Sequence, residues 1–158
     1  MHRVIEPKIH YYGTPVILVS TLNEGGSSNL APNSSGWWLG QQCLLGISTR
    51  GKTFQNLERE RELVLNLASA DRLQPQRVAE CLISLEGVVR NIHAVGAPDA
   101  HLAAVEVGIL RTHVHESLLT GAKRHHIDPG RWKPLIMSFL EFYSLGAELR
   151  ESRLAQVF

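Results

Sequence analysis

The chain has 158 residues with a formal net charge of +1, and 44% of the residues are hydrophobic. This size and composition predict one globular domain over residues 1–158, without a nucleic-acid or anionic-membrane partner. The N-terminus lacks a signal-peptide core, no apolar run reaches membrane-spanning length, and the two cysteines are too few for a disulfide scaffold, so we expect a cytoplasmic protein with free thiols.

The first half of the chain predicts short strands joined by tight turns. Runs of β-branched residues mark the strands, Gly25-Gly26 marks a turn, and Pro32 is expected to stop the second strand. Inward spacing of Phe54 and Leu57 indicates a helix. In chain order, the predicted elements are a strand over 15–22, its return strand over 28–31, a loop over 33–40, a strand over 42–48, a helix over 52–61 and a strand over 62–67.

The second half predicts a long antiparallel hairpin and a final helix. Two β-rich runs, 81–95 and 102–115, flank a strong turn signal, and Gly87 and Gly108 offer bend points for a barrel. Apolar residues of 130–145 recur at helical spacing, which predicts a helix. Its inward face would hold Trp132, Leu135, Ile136, Phe139, Leu140 and Tyr143. The fold class expected is therefore mainly β, of the α+β type.

An anion site is predicted where the third strand ends and the helix begins. Ser48, Thr49, Arg50, Gly51, Lys52 and Thr53 follow one another there. Helix N-termini present unpaired N–H groups and a positive dipole end, and the two cations add full charges. The nearby Trp37 and Trp38 are suited to flank a planar ring, which would make the ligand a nucleotide or a flavin. The alternative is a solvated connection with tryptophans that only pack.

Longer stretches occur in a recognisable order: G-T-P-V-I-L-V-S-T-L-N-E-G-G-S-S-N-L-A-P-N-S-S-G-W-W-L-G, then K-T-F-Q-N-L and E-L-V-L-N-L. Further on come R-V-A-E-C-L-I-S-L-E-G and H-I-D-P-G-R-W-K-P-L. With these stretches, from Tyr12 to about Tyr143, the chain resembles the flavin reductase-like family, which includes the flavoredoxins. The resemblance implies an FMN-binding split β-barrel of Greek-key type with short peripheral helices.

The resemblance also implies a set of cofactor-binding residues. Lys52, Thr53 and Asn56 match family positions at the flavin phosphate and ribityl end, and Arg50 lies beside them. Ser48 and Thr49 are candidates for the ribityl chain. The loop along the isoalloxazine and phosphate corresponds to Ala31, Pro32, Asn33, Ser34 and Ser35, although a proline-terminated turn accounts for these residue types equally well.

The eight histidines raise the question of a metal site. His113 and His115 share a strand face, but no Glu or Cys joins them at a ligand spacing, and the adjacent His125 and His126 cannot easily face one centre. We predict no metal. Instead, the resemblance places His126 close to the flavin, as a possible catalytic residue or partner of the nicotinamide. A hydrolytic Ser, His and Asp set has no nucleophile motif here.

The function implied by the resemblance is two-electron reduction of flavin by NADH or NADPH. No G-x-G-x-x-G follows a strand, so the nicotinamide would bind transiently. A homodimer is expected, because the long hairpin has more apolar face than one helix can cover, and an oxygenase is a possible partner. The alternatives are a non-enzymatic FMN protein that carries electrons or flavin, and a barrel that has lost flavin. The connection 68–79 is shorter than in the family.

Overall fold

The structure is a computed structural model that describes residues 2–7, 9–72, 80–120 and 126–149. These residues form one α-helix and ten β-strands, with short 3₁₀ turns between some of them. The helix is α1 (Lys52–Glu60). The strands are β1 (Tyr12–Pro15), β2 (Ile17–Leu22), β3 (Ser28–Asn33), β4 (Gly36–Leu39), β5 (Gln42–Ser48), β6 (Glu62–Leu67), β7 (Ile83–Val95), β8 (Leu102–Val114), β9 (Leu135–Ser138) and β10 (Glu141–Ser144).

The strands make two antiparallel sheets. The larger has seven strands in the order β3-β2-β6-β7-β8-β5-β4, and the smaller has three in the order β1-β9-β10. The sheets meet at Val16, whose N–H donates to the carbonyl of Leu135 at 2.9 Å and whose carbonyl accepts from the N–H of Ala68 at 3.2 Å. The buried side chains of these three residues pack together. The junction holds the small sheet against one end of the large one.

The core of the large sheet follows from the two-residue period of its strands. In β2, Ile17, Val19 and Thr21 are buried while the residues between them are only partly covered. Strands β5, β6, β7 and β8 contribute buried leucines, isoleucines and valines to the same cluster. Helix α1 closes one end by burying Phe54 and Leu57. The core therefore lies on one face of the sheet.

Several predicted elements are confirmed. Strands β5 and β6 and helix α1 match the predicted elements within one residue, and the long hairpin of β7 and β8 matches within two. The two thiols, Cys43 and Cys81, are free, as expected; Cys43 is buried and Cys81 is half-buried. The hairpin changes register near Gly87 and again between Val89 and Asn91, so bending does occur close to the first predicted position.

Two predictions in the first half were wrong. Strand β3 does not stop before Pro32 but continues to Asn33, and Pro32 pairs with Leu18. This is allowed because β3 is an edge strand, where a missing N–H costs no ladder hydrogen bond. The predicted loop over 33–40 contains strand β4, so Trp37 and Trp38 lie on a strand that pairs with β5.

The predicted helix over 130–145 was also wrong. Asp128 caps only a single 3₁₀ turn, Pro129–Arg131, and β9 and β10 follow as a hairpin. Pro134 disfavours helical backbone at the residue before it and removes a helical hydrogen bond. Two four-residue strands joined by Phe139 and Leu140 reproduce the apolar spacing of a helix. Pairing of β9 with β1, far away in the chain, then decides the structure.

The connection predicted to be short begins with a 3₁₀ turn at Ala70–Arg72, and residues 73–79 lie outside the described residues. The same holds for His125. Within the described ranges, no helix is long and apolar enough to cross a membrane.

Replacing Gly87 by alanine tests the close packing of the bent hairpin. A Cβ at this position would lie 2.5 Å from Val107 Cγ1, a separation that real side chains do not adopt. We expect Gly87→Ala to lower the free energy of unfolding by about 1–3 kcal/mol, measured by urea denaturation. Gly25→Ala is the control, because a Cβ there meets nothing within 4 Å. Equal stability of the two variants would contradict this account of the packing.

Candidate functional site

A cavity of about 1060 Å³ is lined by residues of both sheets. The lining comes mainly from five separate stretches of the chain: 10–16, 31–37, 44–53, 95–104 and 137–142. Ligand sites in proteins commonly measure about 300–1,000 Å³, so the cavity is large enough for a cofactor. This cavity is therefore the candidate functional site.

One wall of the cavity is polar and is held in place by Asn33. The Asn33 side chain donates through Nδ2 to the carbonyl of Gly46 at 2.8 Å and accepts from the N–H of Ser35 at 2.8 Å. The N–H of Gly46 in turn donates to the Ser35 carbonyl at 2.7 Å. A Cβ at Gly46 would lie 3.1 Å from Ser35 Cβ, so glycine permits the close approach. The turn after β3 is thereby fixed to β5.

The N-terminal segment closes this wall from outside. The hydroxyl of Tyr11 lies 2.8 Å from the Ser35 hydroxyl, and both residues line the cavity. The carbonyl of Tyr11 accepts from the N–H of Phe139 at 2.6 Å, and the Tyr12 ring meets the Phe139 ring edge-on with centroids 5.2 Å apart. The segment is therefore anchored to the β9–β10 hairpin.

The N-terminus of α1 opens at one end of the polar wall. Gly51 is the N-cap residue and supplies no side-chain hydrogen bond to the helix. The first N–H groups of a helix have no partner within the helix, so they remain available to an anion. Gly51 and Thr53 line the cavity, and the exposed Arg50 and Lys52 flank Gly51 in the chain. The positive side chains, the positive end of the helix dipole and the unpaired N–H donors thus lie at the same end of the cavity.

A buried polar network supports the helix. Asn29 donates to Thr53 Oγ1 at 2.9 Å and to Thr21 Oγ1 at 3.1 Å. Asn56, which is fully buried, donates to Thr21 Oγ1 at 3.1 Å and to Asn23 Oδ1 at 2.9 Å. These bonds tie α1 to the β2–β3 hairpin. They fix the position of the helix N-terminus relative to the cavity.

The other wall is apolar. Large side chains there stay partly open to solvent: Trp37 is 55% exposed, Phe142 57% and Leu102 48%. Val95 and Met137 complete this part of the lining. Such side chains favour a flat, weakly polar group by removing its surface from water.

The cavity is nearly free of charge. Among the described lining residues there is no Asp, Glu, Lys or Arg, and His10 is the lining histidine. Cys43 lies nearby in β5, but burial raises the pKa of its thiol to about 12, so it is not a thiolate nucleophile near neutral pH. Over the described ranges, no group of three His, Cys, Asp or Glu residues is placed to hold a metal ion.

The structure brings most of the predicted site residues together. Those that line the cavity are Ala31, Pro32, Asn33, Ser34, Ser35, Ser48 and Thr53, with Trp37. Thr49, Arg50 and Lys52 lie next to lining residues in the chain but are not part of the lining themselves. Asn56 points inside the protein, while Trp38 packs against the core. His126 is exposed and does not line the cavity.

Several lining residues were missed by sequence reasoning. Tyr11 and Thr14 come from the N-terminal segment, and Met137 and Phe142 come from the two strands that were predicted as helix. Both groups depend on the pairing of β1 with β9, which joins chain segments more than 120 residues apart. The segments 12–15 and 135–138 have only four residues each and do not alternate between buried and exposed positions, so their sequence does not reveal this pairing.

Comparison with known proteins supports one fold. No profile of a known protein family matches the chain. The flavoredoxin of Desulfovibrio vulgaris (Miyazaki F) has a similar structure, with a TM-score of 0.81, 14% identity and coverage of 99% of this chain and 100% of that one. Nitrilotriacetate monooxygenase component B from Bacillus cereus gives a TM-score of 0.75 at 17% identity, covering 92% and 89% of the two chains.

A protein of Bacillus subtilis (strain 168), described as uncharacterized protein YdfE, is 32% identical over 189 aligned residues, which cover 92% of this chain and 90% of YdfE. The aligned length exceeds the 158 residues of this chain, so YdfE contains inserted segments that this chain lacks. The fold is the split β-barrel of the flavin reductases and flavoredoxins. Within that class, the chain belongs to the family of YdfE.

Asn33 provides a direct test of the polar wall. Asn33→Ala removes two hydrogen bonds of 2.8 Å and leaves the Ser35 N–H and the Gly46 carbonyl without these partners. We expect the free energy of unfolding to fall by about 1–3 kcal/mol, measured by denaturant titration. Asn91→Ala is the matched control, since exposed Asn91 makes one surface bond to Glu106 at 2.8 Å. A larger loss in the control would show that Asn33 does not hold the wall.

Proposed function

We propose that the protein binds FMN and catalyses the two-electron reduction of flavin by NADH or NADPH. The observation that carries the proposal is the joining of a neutral polar wall, an apolar wall and an open helix N-terminus in one cavity. A flavin has the same three parts: a planar ring with polar edges, a hydroxylated chain and a phosphate. The fold shared with flavin reductases and flavoredoxins supports the same ligand.

The residues present fit FMN. The phosphate would lie at the start of α1, held by backbone N–H groups, the Thr53 hydroxyl and the charges of Arg50 and Lys52. Ser48 and Thr49 would hold the ribityl chain. The turn at 31–35 would hold the polar edge of the ring against the apolar wall. Asn56 would then contribute indirectly, because its hydrogen bonds fix the helix that carries the phosphate site.

When bound, FMN supplies the ring that accepts a hydride, and the protein supplies binding, orientation and electrostatics. The neutral lining fits this division, because hydride transfer needs no acid–base pair in the protein. The partly exposed Trp37 and Phe142 leave room for a nicotinamide to approach from solvent. His126 is not needed at the cavity for this chemistry.

An absorbance spectrum of the purified protein, before and after NADH, tests the proposal. We expect the yellow colour of a bound flavin, bleaching by NADH or NADPH, and tighter binding of FMN than of FAD by fluorescence titration, because there is one phosphate cradle. A bound flavin that neither nucleotide reduces would favour the alternative, a non-enzymatic flavin or electron carrier. Absence of flavin binding would reject both and leave an interaction module.

Lys52 is expected to contribute to phosphate binding. Lys52→Ala should weaken FMN binding at least about tenfold at low salt, because charge-assisted contacts to phosphate contribute about 1.5–3 kcal/mol. The loss should shrink at high salt, since Lys52 is exposed and screened. Lys133→Ala is the control: Lys133 is also exposed, but neither of its chain neighbours lines the cavity, whereas both neighbours of Lys52 do. An unchanged Kd for Lys52→Ala would move the phosphate elsewhere.

A homodimer is part of the proposal. Apolar side chains that line the cavity remain open, among them Trp37 at 55% exposure and Phe142 at 57%. Patches of this kind commonly mark protein interfaces. Light scattering at micromolar concentration should give about twice the chain mass of 17.6 kDa. A monomer would refute the dimer without affecting flavin binding.

An oxygenase that uses the reduced flavin is a candidate partner, by analogy with the monooxygenase component of similar fold.

A further inference from the structure

We infer that Tyr11 is a positioning residue of the flavin site, acting through the hydroxyl of Ser35. The inference rests on the proposed function, because the ligand that Ser35 would meet is the flavin. It adds to the site a residue from the N-terminal segment, which lies outside every motif in the sequence. Tyr11 and Ser35 are 24 positions apart in the chain and meet at the cavity.

Each polar group of Ser35 has a partner. Its N–H donates to Asn33 Oδ1 at 2.8 Å, its carbonyl accepts from the N–H of Gly46 at 2.7 Å, and its hydroxyl lies 2.8 Å from the hydroxyl of Tyr11. The backbone of Ser35 is therefore fixed by two neighbours, and among the described residues Tyr11 is the partner that fixes the rotation of its side chain. Without the Tyr11 hydroxyl, the Ser35 hydroxyl would be free to turn.

The two hydroxyls, of Tyr11 and Ser35, can donate a limited number of hydrogen bonds. Each hydroxyl has one proton to donate, and one of the two protons is used between the residues. Either oxygen can be the donor of this bond. In the arrangement that we propose, Tyr11 donates and Ser35 accepts. The Ser35 proton is then available to an acceptor atom in the cavity. Polarisation along such a chain strengthens the second bond.

The position of Ser35 indicates which part of the flavin it meets. Ser35 lies opposite Gly46 in β5, and the strand ends two residues later at Ser48, beside the start of α1. Two residues of strand span about 6–7 Å. Ser35 is thus set back from the phosphate end of the cavity. Its acceptor belongs to the ring or the ribityl chain, which riboflavin shares with FMN.

A double-mutant cycle tests the inference. The wild-type protein, Tyr11→Phe, Ser35→Ala and the double variant are each titrated with FMN and with riboflavin. We expect Tyr11→Phe to raise the Kd of both flavins by about two- to tenfold, and to have little further effect in the Ser35→Ala background. The visible absorption band of bound flavin should shift in both single variants. Tyr143→Phe is the control, because its hydroxyl donates to Glu141 at 2.8 Å on the exposed surface and neither residue lines the cavity.

The outcomes separate this inference from the proposed function. If the wild-type protein binds neither flavin, the proposed function fails, and this inference fails with it. If wild-type protein binds flavin but Tyr11→Phe is equally harmful with and without Ser35, only the action through Ser35 is overturned. A loss confined to FMN would place the hydroxyl pair at the phosphate and overturn the ring assignment. A lower melting temperature with unchanged Kd and spectrum would make Tyr11 purely structural, which also overturns the inference.

Discussion

The polar wall of the cavity depends on a side-chain amide that joins two strands which do not pair directly. Asn33 ends β3 at one edge of the large sheet, and Gly46 lies in β5 near the other edge. The Asn33 carboxamide connects them at 2.8 Å and also accepts the Ser35 N–H. Backbone groups of a turn normally need a partner strand or water. Here the amide and Gly46 supply the partners, so the turn can face a ligand instead of another strand.

Charge is kept apart from the rest of the site. The described lining is neutral, and the nearby cations, Arg50 and Lys52, remain exposed at the start of α1. Burying an unpaired charge is costly, whereas a helix N-terminus attracts an anion through partial charges that are already oriented. The buried amide of Asn56 carries no charge and has every bond it needs from Thr21, Asn23 and Arg59. The network beneath the helix thus consists of amide and hydroxyl hydrogen bonds, together with one from the Arg59 guanidinium.

How much the sequence predicts depends on how local the determining contacts are. Strand β5, helix α1 and strand β6 follow from periodicity within about twenty residues, and the candidate phosphate end follows with them. The hairpin of β9 and β10 does not, because its apolar spacing suits a helix equally well until β1 pairs with it. Tyr11 and Phe142 reach the cavity only through that pairing. Phe139 also adopts a φ of 53°, a conformation that composition gives no reason to expect.

The cavity is assembled from five stretches that are scattered from residue 10 to residue 142. No single hairpin can form it, since its walls touch only after both sheets have closed. Such long-range contacts form only after chain entropy has been lost in closing long loops, and this loss slows folding. A ligand in this cavity contacts all the walls at once, so it can bind only when both sheets are in place. It therefore stabilises the complete native fold and not a half-folded chain. Occupancy of the cavity and lifetime of the native state are therefore linked.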